Sequence, residues 1–177
     1  SPCQCKWDPD TATTSVQYQK LLHHHILCSG QRLGPYNLPT VYQPPDETKQ
    51  IGFDVVDFAN NKLTSIPDNI IEAIKSIETL KLSNNRLTTF PNNIAKFKFN
   101  IDELYLDNNN ITTFDLKSID TYFVESLYLS RNQISHIIET GRYYIGSYIK
   151  NLYLDHNKLQ LLHPNIFIYL TKLQRLD

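Results

Sequence analysis

The amino-acid sequence predicts an α/β solenoid: a right-handed superhelix with a parallel β-sheet on its concave side and irregular or short helical returns on its convex side. Three observations lead to this prediction. The same pattern recurs about every 24 residues. In each copy, two apolar residues stand on either side of a residue that we expect to point outward, and an asparagine follows at a fixed distance. A repeat of this length is one supersecondary unit, and it must stack on its neighbours to bury an apolar face.

Five complete copies and the start of a sixth share one frame, which is apolar at positions 1, 4, 6 and 11 and has Asn at position 9. Their successive spacings are 24, 24, 23, 25 and 24 residues, counted from the first positions Phe53, Ile77, Ile101, Val124, Ile149 and Leu173. In a strand, positions 4 and 6 point to one face and position 5 to the other. The frame therefore predicts repeats over residues 51–177, preceded over residues 1–50 by a separate N-terminal segment that holds all three cysteines and a proline-rich connection.

The asparagine at position 9 stands directly after the strand, where the chain turns and backbone groups would otherwise be buried without partners. An amide side chain both donates and accepts hydrogen bonds, so it can satisfy both kinds of group. We therefore predict a structural ladder inside the solenoid, formed by Asn61, Asn85, Asn109, Asn132 and Asn157.

The five full copies carry the pattern LxxLxLxxNxL with apolar substitutions, and residues 53–177 thereby resemble the leucine-rich repeat family. The segment 161–176, in which a proline precedes a phenylalanine and a leucine, is similar to the animal extracellular class of these repeats. The resemblance implies a protein-recognition module and no enzymatic activity, catalytic residue or cofactor.

All three cysteines, Cys3, Cys5 and Cys28, precede the first repeat. Their spacing resembles the N-terminal cysteine cap of extracellular leucine-rich repeat proteins, which implies a bond between Cys3 and Cys28 and a partner for Cys5 before Ser1. The odd count leaves three alternatives: the sequence begins inside the cap, Cys5 is free, or Cys5 pairs between chains. A disulfide cap implies an oxidising compartment, so we expect a secreted protein or one on the extracellular face of the plasma membrane.

N-linked glycosylation is expected at Asn110, in the third repeat. Asn110 opens the sequon Asn-Ile-Thr and occupies position 10 of its repeat, beside the ladder residue and pointing outward. A glycan at this position is sterically plausible, and the sequence therefore predicts a glycoprotein.

The outward position 5 reads Asp57, Lys81, Tyr105, Tyr128 and Tyr153 along successive strands. Because strands lie about 4.8 Å apart, the tyrosines should form an aromatic strip about 10 Å long. Tyrosine combines a large contact area with a polar tip, and exposed aromatic clusters mark interaction sites. The predicted partner-binding residues are Tyr105, Tyr128, Tyr153, Asp107, Asp155, Arg131, His156, Glu103 and Asn151. In the competing interpretation, tyrosine is only a frequent filling of the family's strand.

The sequence lacks the features that are usual for several classes of function. The formal net charge is −1, without a run of like charges, so no nucleic-acid partner is expected, and no apolar run approaches the length of a membrane segment. No nucleophile elbow or phosphate-binding loop is present. Asp102 and Glu103 are strand neighbours that should face opposite sides and so cannot act together in catalysis. His23 and His25 lack a third ligand, so no metal site is expected.

The remaining function is recognition of a protein ligand or co-receptor by the concave sheet. A second hypothesis is a structural or matrix protein that forms a homo-oligomer through the same sheet or through Cys5. A third is a cytosolic scaffold, in which all three cysteines would be reactive thiols.

Overall fold

The computed structural model describes residues 25–30, 52–66, 68, 76–96, 101–119, 124–138 and 148–177. Across these ranges runs a seven-stranded parallel sheet, whose strands are hydrogen-bonded in their order along the chain. The strands are β1 His25–Leu27, β2 Gly52–Asp57, β3 Ser76–Lys81, β4 Ile101–Tyr105, β6 Val124–Tyr128, β8 Asn151–Tyr153 and β9 Arg175–Leu176. The predicted solenoid is thus confirmed, with one strand for each coil.

The strand register follows the sequence period. Position 4 of each repeat pairs with position 4 of the next, so Leu80, Leu104, Leu127 and Leu152 are successive partners. Side chains at positions 4 and 6 of all five complete repeats are at most 5% exposed. Burying each of them stabilises the fold by about 1.5–3 kcal/mol, and only stacked coils can provide that burial.

The returns on the convex side contain little helix in the described residues. They include the 3-10 helices η1 Asn92–Lys96 and η2 Leu116–Ile119 and the short helix α1 Ile166–Tyr169. A second parallel sheet of two strands, β5 Thr113–Asp115 and β7 His136–Ile138, also lies here. The sequence did not predict this sheet. It forms because stacked coils place two extended returns at strand spacing, with Phe114 and Ile137 as partners.

The first strand of the sheet, β1, comes from the segment predicted to be the cap. It pairs in parallel with β2, and the backbone N–H of Cys28 then donates to the carbonyl of Asp57 at 2.7 Å. Cys28 is fully buried and occupies the place that Phe58 has in the first repeat. Cys3, Cys5 and His23 lie outside the described residues, so the cysteine pairing and the domain boundary at residue 50 stay predictions.

No helix in the described part of the chain has the length and apolarity that crossing a membrane requires.

Candidate functional site

The strands of the large sheet end in turns held by buried asparagines. The side-chain amide of Asn109 donates to the carbonyls of Leu82 and Leu106, both at 3.0 Å, and its oxygen accepts from the N–H of Leu87 at 3.0 Å. One side chain therefore links its own turn to the preceding coil. The donating bonds recur at Asn61, Asn85, Asn132 and Asn157.

The residue before each ladder asparagine adopts the left-handed conformation, as does Gly30, the equivalent residue after β1. Gly30, Asn60, Asn84 and Asn108 are residues that tolerate this conformation, with φ between 54° and 71°. The equivalent residues in the next two coils are Arg131 and His156, with φ of 55° and 56°. An arginine in this conformation carries backbone strain, and such strain concentrates at functional sites. Arg131 and His156 are both exposed at the edge of the sheet.

The three predicted tyrosines come together as one parallel stack. The ring centroids of Tyr105 and Tyr128 are 4.2 Å apart with planes 2° from parallel, and those of Tyr128 and Tyr153 are 4.6 Å apart at 4°. Their Cα atoms are register partners in β4, β6 and β8, which places the side chains directly above one another. All three are half-buried. We call these three residues the tyrosine stack.

A cation lies over each end of the tyrosine stack. The Nζ atom of Lys81 is 6.0 Å from the centroid of Tyr105, and the guanidinium carbon of Arg175 is 5.1 Å from the centroid of Tyr153. Both distances are within the range of cation–π attraction. Both residues occupy outward positions in the repeat frame. Their contacts with the end rings of the stack depend on side-chain placement, and the sequence did not predict them.

Carboxylates flank the tyrosine stack at both ends of the strands. Glu103 accepts hydrogen bonds from the hydroxyls of Tyr105 at 3.3 Å and Thr79 at 3.4 Å. Asp107 accepts from the hydroxyl of Ser83 at 2.6 Å and from the side-chain amide of Asn108 at 2.8 Å. Neighbouring polar groups thus hold both carboxylates beside the ring of Tyr105.

The next acidic residue along this edge is Asp155. Its carboxylate accepts from the Ser130 hydroxyl and lies 2.6 Å from Nδ1 of His156. The hydrogen bond from Ser130, followed by that from His156, lowers the pKa of Asp155 below its ordinary value. Asp155 is therefore held as a carboxylate. Asn151, at the opposite end of β8, donates its amide to the hydroxyl of Ser126 at 3.0 Å.

Burial controls the ionisation of the first tyrosine in the stack. Partial burial of Tyr105 raises the pKa of its phenol, and Tyr128 and Glu103 raise it further. The phenol therefore stays protonated, and remains a hydrogen-bond donor, to higher pH than an ordinary tyrosine does.

An acidic depression adjoins the tyrosine stack near the beginnings of the strands. Its volume is about 350 Å³, and it is lined by Glu78, Thr79, Asp102, Glu103, Glu125 and Ser126. The expectation that Asp102 and Glu103 face opposite sides is wrong, because both line this depression. Ile101 and Leu104 are buried on either side of them, which leaves both intervening residues on the solvent side.

The predicted binding residues thus form one surface, the concave sheet face, made by outward residues of β2, β3, β4, β6, β8 and β9 and the residues that follow these strands. The tyrosine stack occupies its middle, Glu103 and Asn151 lie toward the strand beginnings, and Asp107, Asp155, Arg131 and His156 lie beyond the strand ends. The sequon residue Asn110 is exposed one position beyond the ladder and does not belong to this surface. Whether it carries a glycan stays a prediction.

Comparison with known families agrees with the fold. Residues 76–97, which begin with β3 and continue through the second copy of the frame, match the family described as Leucine Rich Repeat. The parallel-strand solenoid is consistent with a leucine-rich repeat fold, and repeats of this family typically form non-enzymatic scaffolds for protein interactions. No curated protein matches the chain.

Proposed function

We propose that this chain is an extracellular protein-recognition module that binds a protein ligand or co-receptor on its concave sheet face. It would act as a secreted protein or as the outer part of a receptor or adhesion molecule. The observation that carries the proposal is the tyrosine stack, in which three half-exposed rings lie at spacings of 4.2 and 4.6 Å in the middle of the sheet.

The stack is suited to binding because it is ordered before a partner arrives. Each ring is held by its neighbour, and the end rings are held by Lys81 and Arg175. A side chain that is already immobilised loses little conformational entropy on association. Tyrosine and arginine are also the residue types that contribute most to protein interfaces.

Two features support the extracellular part of the proposal. Cys28 is fully buried against β2 at the end of the sheet, where a disulfide to Cys3 would anchor the predicted cap. Asn110 is exposed, so its sequon is accessible to a glycosyltransferase. Disulfides and N-linked glycans are both features of the secretory route.

Binding of the immobilised chain to a library of extracellular domains displayed on yeast tests this function. The triple variant Tyr105→Ala, Tyr128→Ala, Tyr153→Ala should keep its fold and lose capture of the domains that the wild type enriches. A matched control is the double variant Tyr148→Ala, Phe167→Ala, because both rings are about half exposed and lie off the sheet. Equal capture by the triple variant and the control would place the binding surface elsewhere.

A second copy of the chain, displayed in the same library, tests the alternative function. If the immobilised wild type captures this copy and the triple variant does not, the result would instead support self-association through the sheet.

A further inference from the structure

The concave sheet face is more acidic than the chain as a whole. The residues at positions 3, 5, 7 and 8 of the repeat frame, which form this face, carry a formal charge of −2, whereas the whole chain carries −1. The charged residues at these positions are Asp57, Glu103, Asp107, Asp155 and Asp177, against Lys81, Arg131 and Arg175. The acidic depression adds three carboxylates, from Glu78, Asp102 and Glu125.

Two of the three cations of this face are already engaged, and the third, Arg131, lies beyond the strand ends, away from the acidic depression near the strand beginnings. The acidic character of the depression therefore remains available to a partner. Lys81 and Arg175 cover the two ends of the tyrosine stack, and Arg175 also pairs with Asp177 at 3.0 Å. Lys150 pairs with Glu125 at 3.0 Å, but both side chains are more than 40% exposed, so this surface pair contributes little. Glu78 and Asp102 are exposed and have no ion-pair partner among the residues that the structure describes.

The tyrosine stack and the acidic depression form one continuous surface. Glu103 connects them, since it lines the depression and accepts a hydrogen bond from the hydroxyl of Tyr105. The ring faces within the stack are occupied by one another, so a partner meets ring edges and hydroxyls. A lysine or arginine side chain suits this surface, because its apolar stem can lie along an aromatic edge while its charged head reaches carboxylates.

The occupant of the depression is better described as a side chain than as a metal ion. Within the described ranges, no three His, Cys, Asp or Glu side chains have an arrangement that could hold a metal. A volume of about 350 Å³, open to the sheet face, accommodates a long side chain.

We propose that the concave sheet face docks a cationic linear segment of a partner protein, with a lysine or arginine head between Glu78, Asp102 and Glu125 and its stem along the edge of Tyr105. This inference rests on the proposed function, and it identifies the chemistry of the partner. Charge complementarity of this kind increases the rate of association and excludes acidic partners.

Panning a random peptide library displayed on phage against the immobilised wild-type chain tests the proposal. Selected peptides should be enriched in Lys and Arg relative to the unselected library. An enriched peptide, labelled with fluorescein, then serves as the probe for fluorescence anisotropy. The double variant Glu78→Gln, Asp102→Asn should bind it about three- to tenfold more weakly, because exposed ion pairs each contribute a fraction of a kcal/mol.

The matched control is the double variant Asp68→Asn, Asp115→Asn. It also removes two carboxylates, but both lie outside the sheet face. Oδ1 of Asp68 accepts a hydrogen bond from the Asn93 side chain, and Oδ1 of Asp115 accepts one from the Lys117 N–H. Asparagine retains this oxygen in both positions. The control should bind the probe like the wild type. Equal weakening in both double variants would show only a net-charge effect and would overturn the proposal.

The result also separates this inference from the function on which it rests. Neutral or acidic selected peptides that lose binding with Tyr128→Ala would overturn the cationic partner while leaving the recognition surface in place. Cationic peptides that bind Tyr128→Ala and the double variant at Glu78 and Asp102 as tightly as the wild type would overturn both. A library that yields no binder of the wild type would count against a linear partner segment, and therefore against this inference alone.

Discussion

At the residue scale, one buried amide in each coil closes the turn after the strand. Asn109 is 6% exposed, and its side chain satisfies backbone groups of two adjacent coils at the same time. A buried backbone group without a partner costs about 1–3 kcal/mol. The ladder therefore matters for stability more than the small size of an asparagine suggests.

Replacing Asn109 with Ala should lower the free energy of unfolding by about 3 kcal/mol or more, since several buried backbone groups lose their partner. The measurement is urea denaturation followed by circular dichroism. Asn110→Ala is the control, because this neighbouring asparagine is exposed, and its substitution should cost less than about 0.5 kcal/mol. Similar losses in the two variants would mean that the ladder bonds are not a major source of stability.

At the scale of the elements, parallel register converts three separate tyrosines into one stack. Tyr105, Tyr128 and Tyr153 are Cα partners in β4, β6 and β8, so each ring must either stack on its neighbour or turn aside. Stacking buries part of each ring, and an aromatic pair adds about 0.5–1.5 kcal/mol beyond the area it buries. The proposed binding surface and part of the sheet's stability thus come from the same contacts.

The free energy of unfolding at alkaline pH should depend on the burial of Tyr105 in the tyrosine stack. Because burial raises the pKa of Tyr105, the folded state holds the phenolic proton more tightly than the unfolded state does. This stabilisation is complete below about pH 10, the ordinary pKa of tyrosine, and is lost as pH rises from there through the folded-state pKa. Above about pH 10, the free energy of unfolding should fall more steeply in the wild type than in Tyr105→Phe. Denaturant titrations across this range measure both slopes, and identical slopes would contradict the assignment.

At the scale of the whole molecule, each described strand of the large sheet packs against the strands next to it, so burial varies along the solenoid. Leu106 and Leu129 are fully buried in inner coils, whereas Leu162, Leu173 and Leu176 of the last coils are only partly buried. In such an array, stability depends on each coil and on its contacts with adjacent coils. Local opening should therefore begin in the coils whose leucines are only partly buried.

Hydrogen exchange can compare equivalent amides in successive coils. The N–H groups of Leu106, Leu129 and Leu154 each donate to the next strand, at 2.8, 2.8 and 2.7 Å. We expect the amide of Leu154 to exchange at least about tenfold faster than those of Leu106 and Leu129, because the leucines packed near it, such as Leu173 and Leu176, are only partly buried. Equal rates for all three amides would instead indicate that the solenoid opens only as a single unit.

What the sequence by itself determined is the content of each coil. The 24-residue frame identified the buried leucines, the ladder positions such as Asn85 and the outward positions of the three tyrosines. These features follow from strand alternation and from the stacking of identical units, both of which are local rules repeated along the chain. The resemblance to the leucine-rich repeat family rests on the same positions.

Only the tertiary structure decided how the coils meet. Cys28 lies 30 residues before Phe58, outside the 24-residue period, so only chain packing shows that β1 continues the sheet. Asp102 and Glu103 share a depression because two buried positions flank them, and Lys81 and Arg175 reach the ends of the tyrosine stack from different coils. A repeat pattern specifies which side a residue faces. Side-chain contacts between coils depend on the distances that packing sets, and these distances determine the chemistry of the concave sheet face.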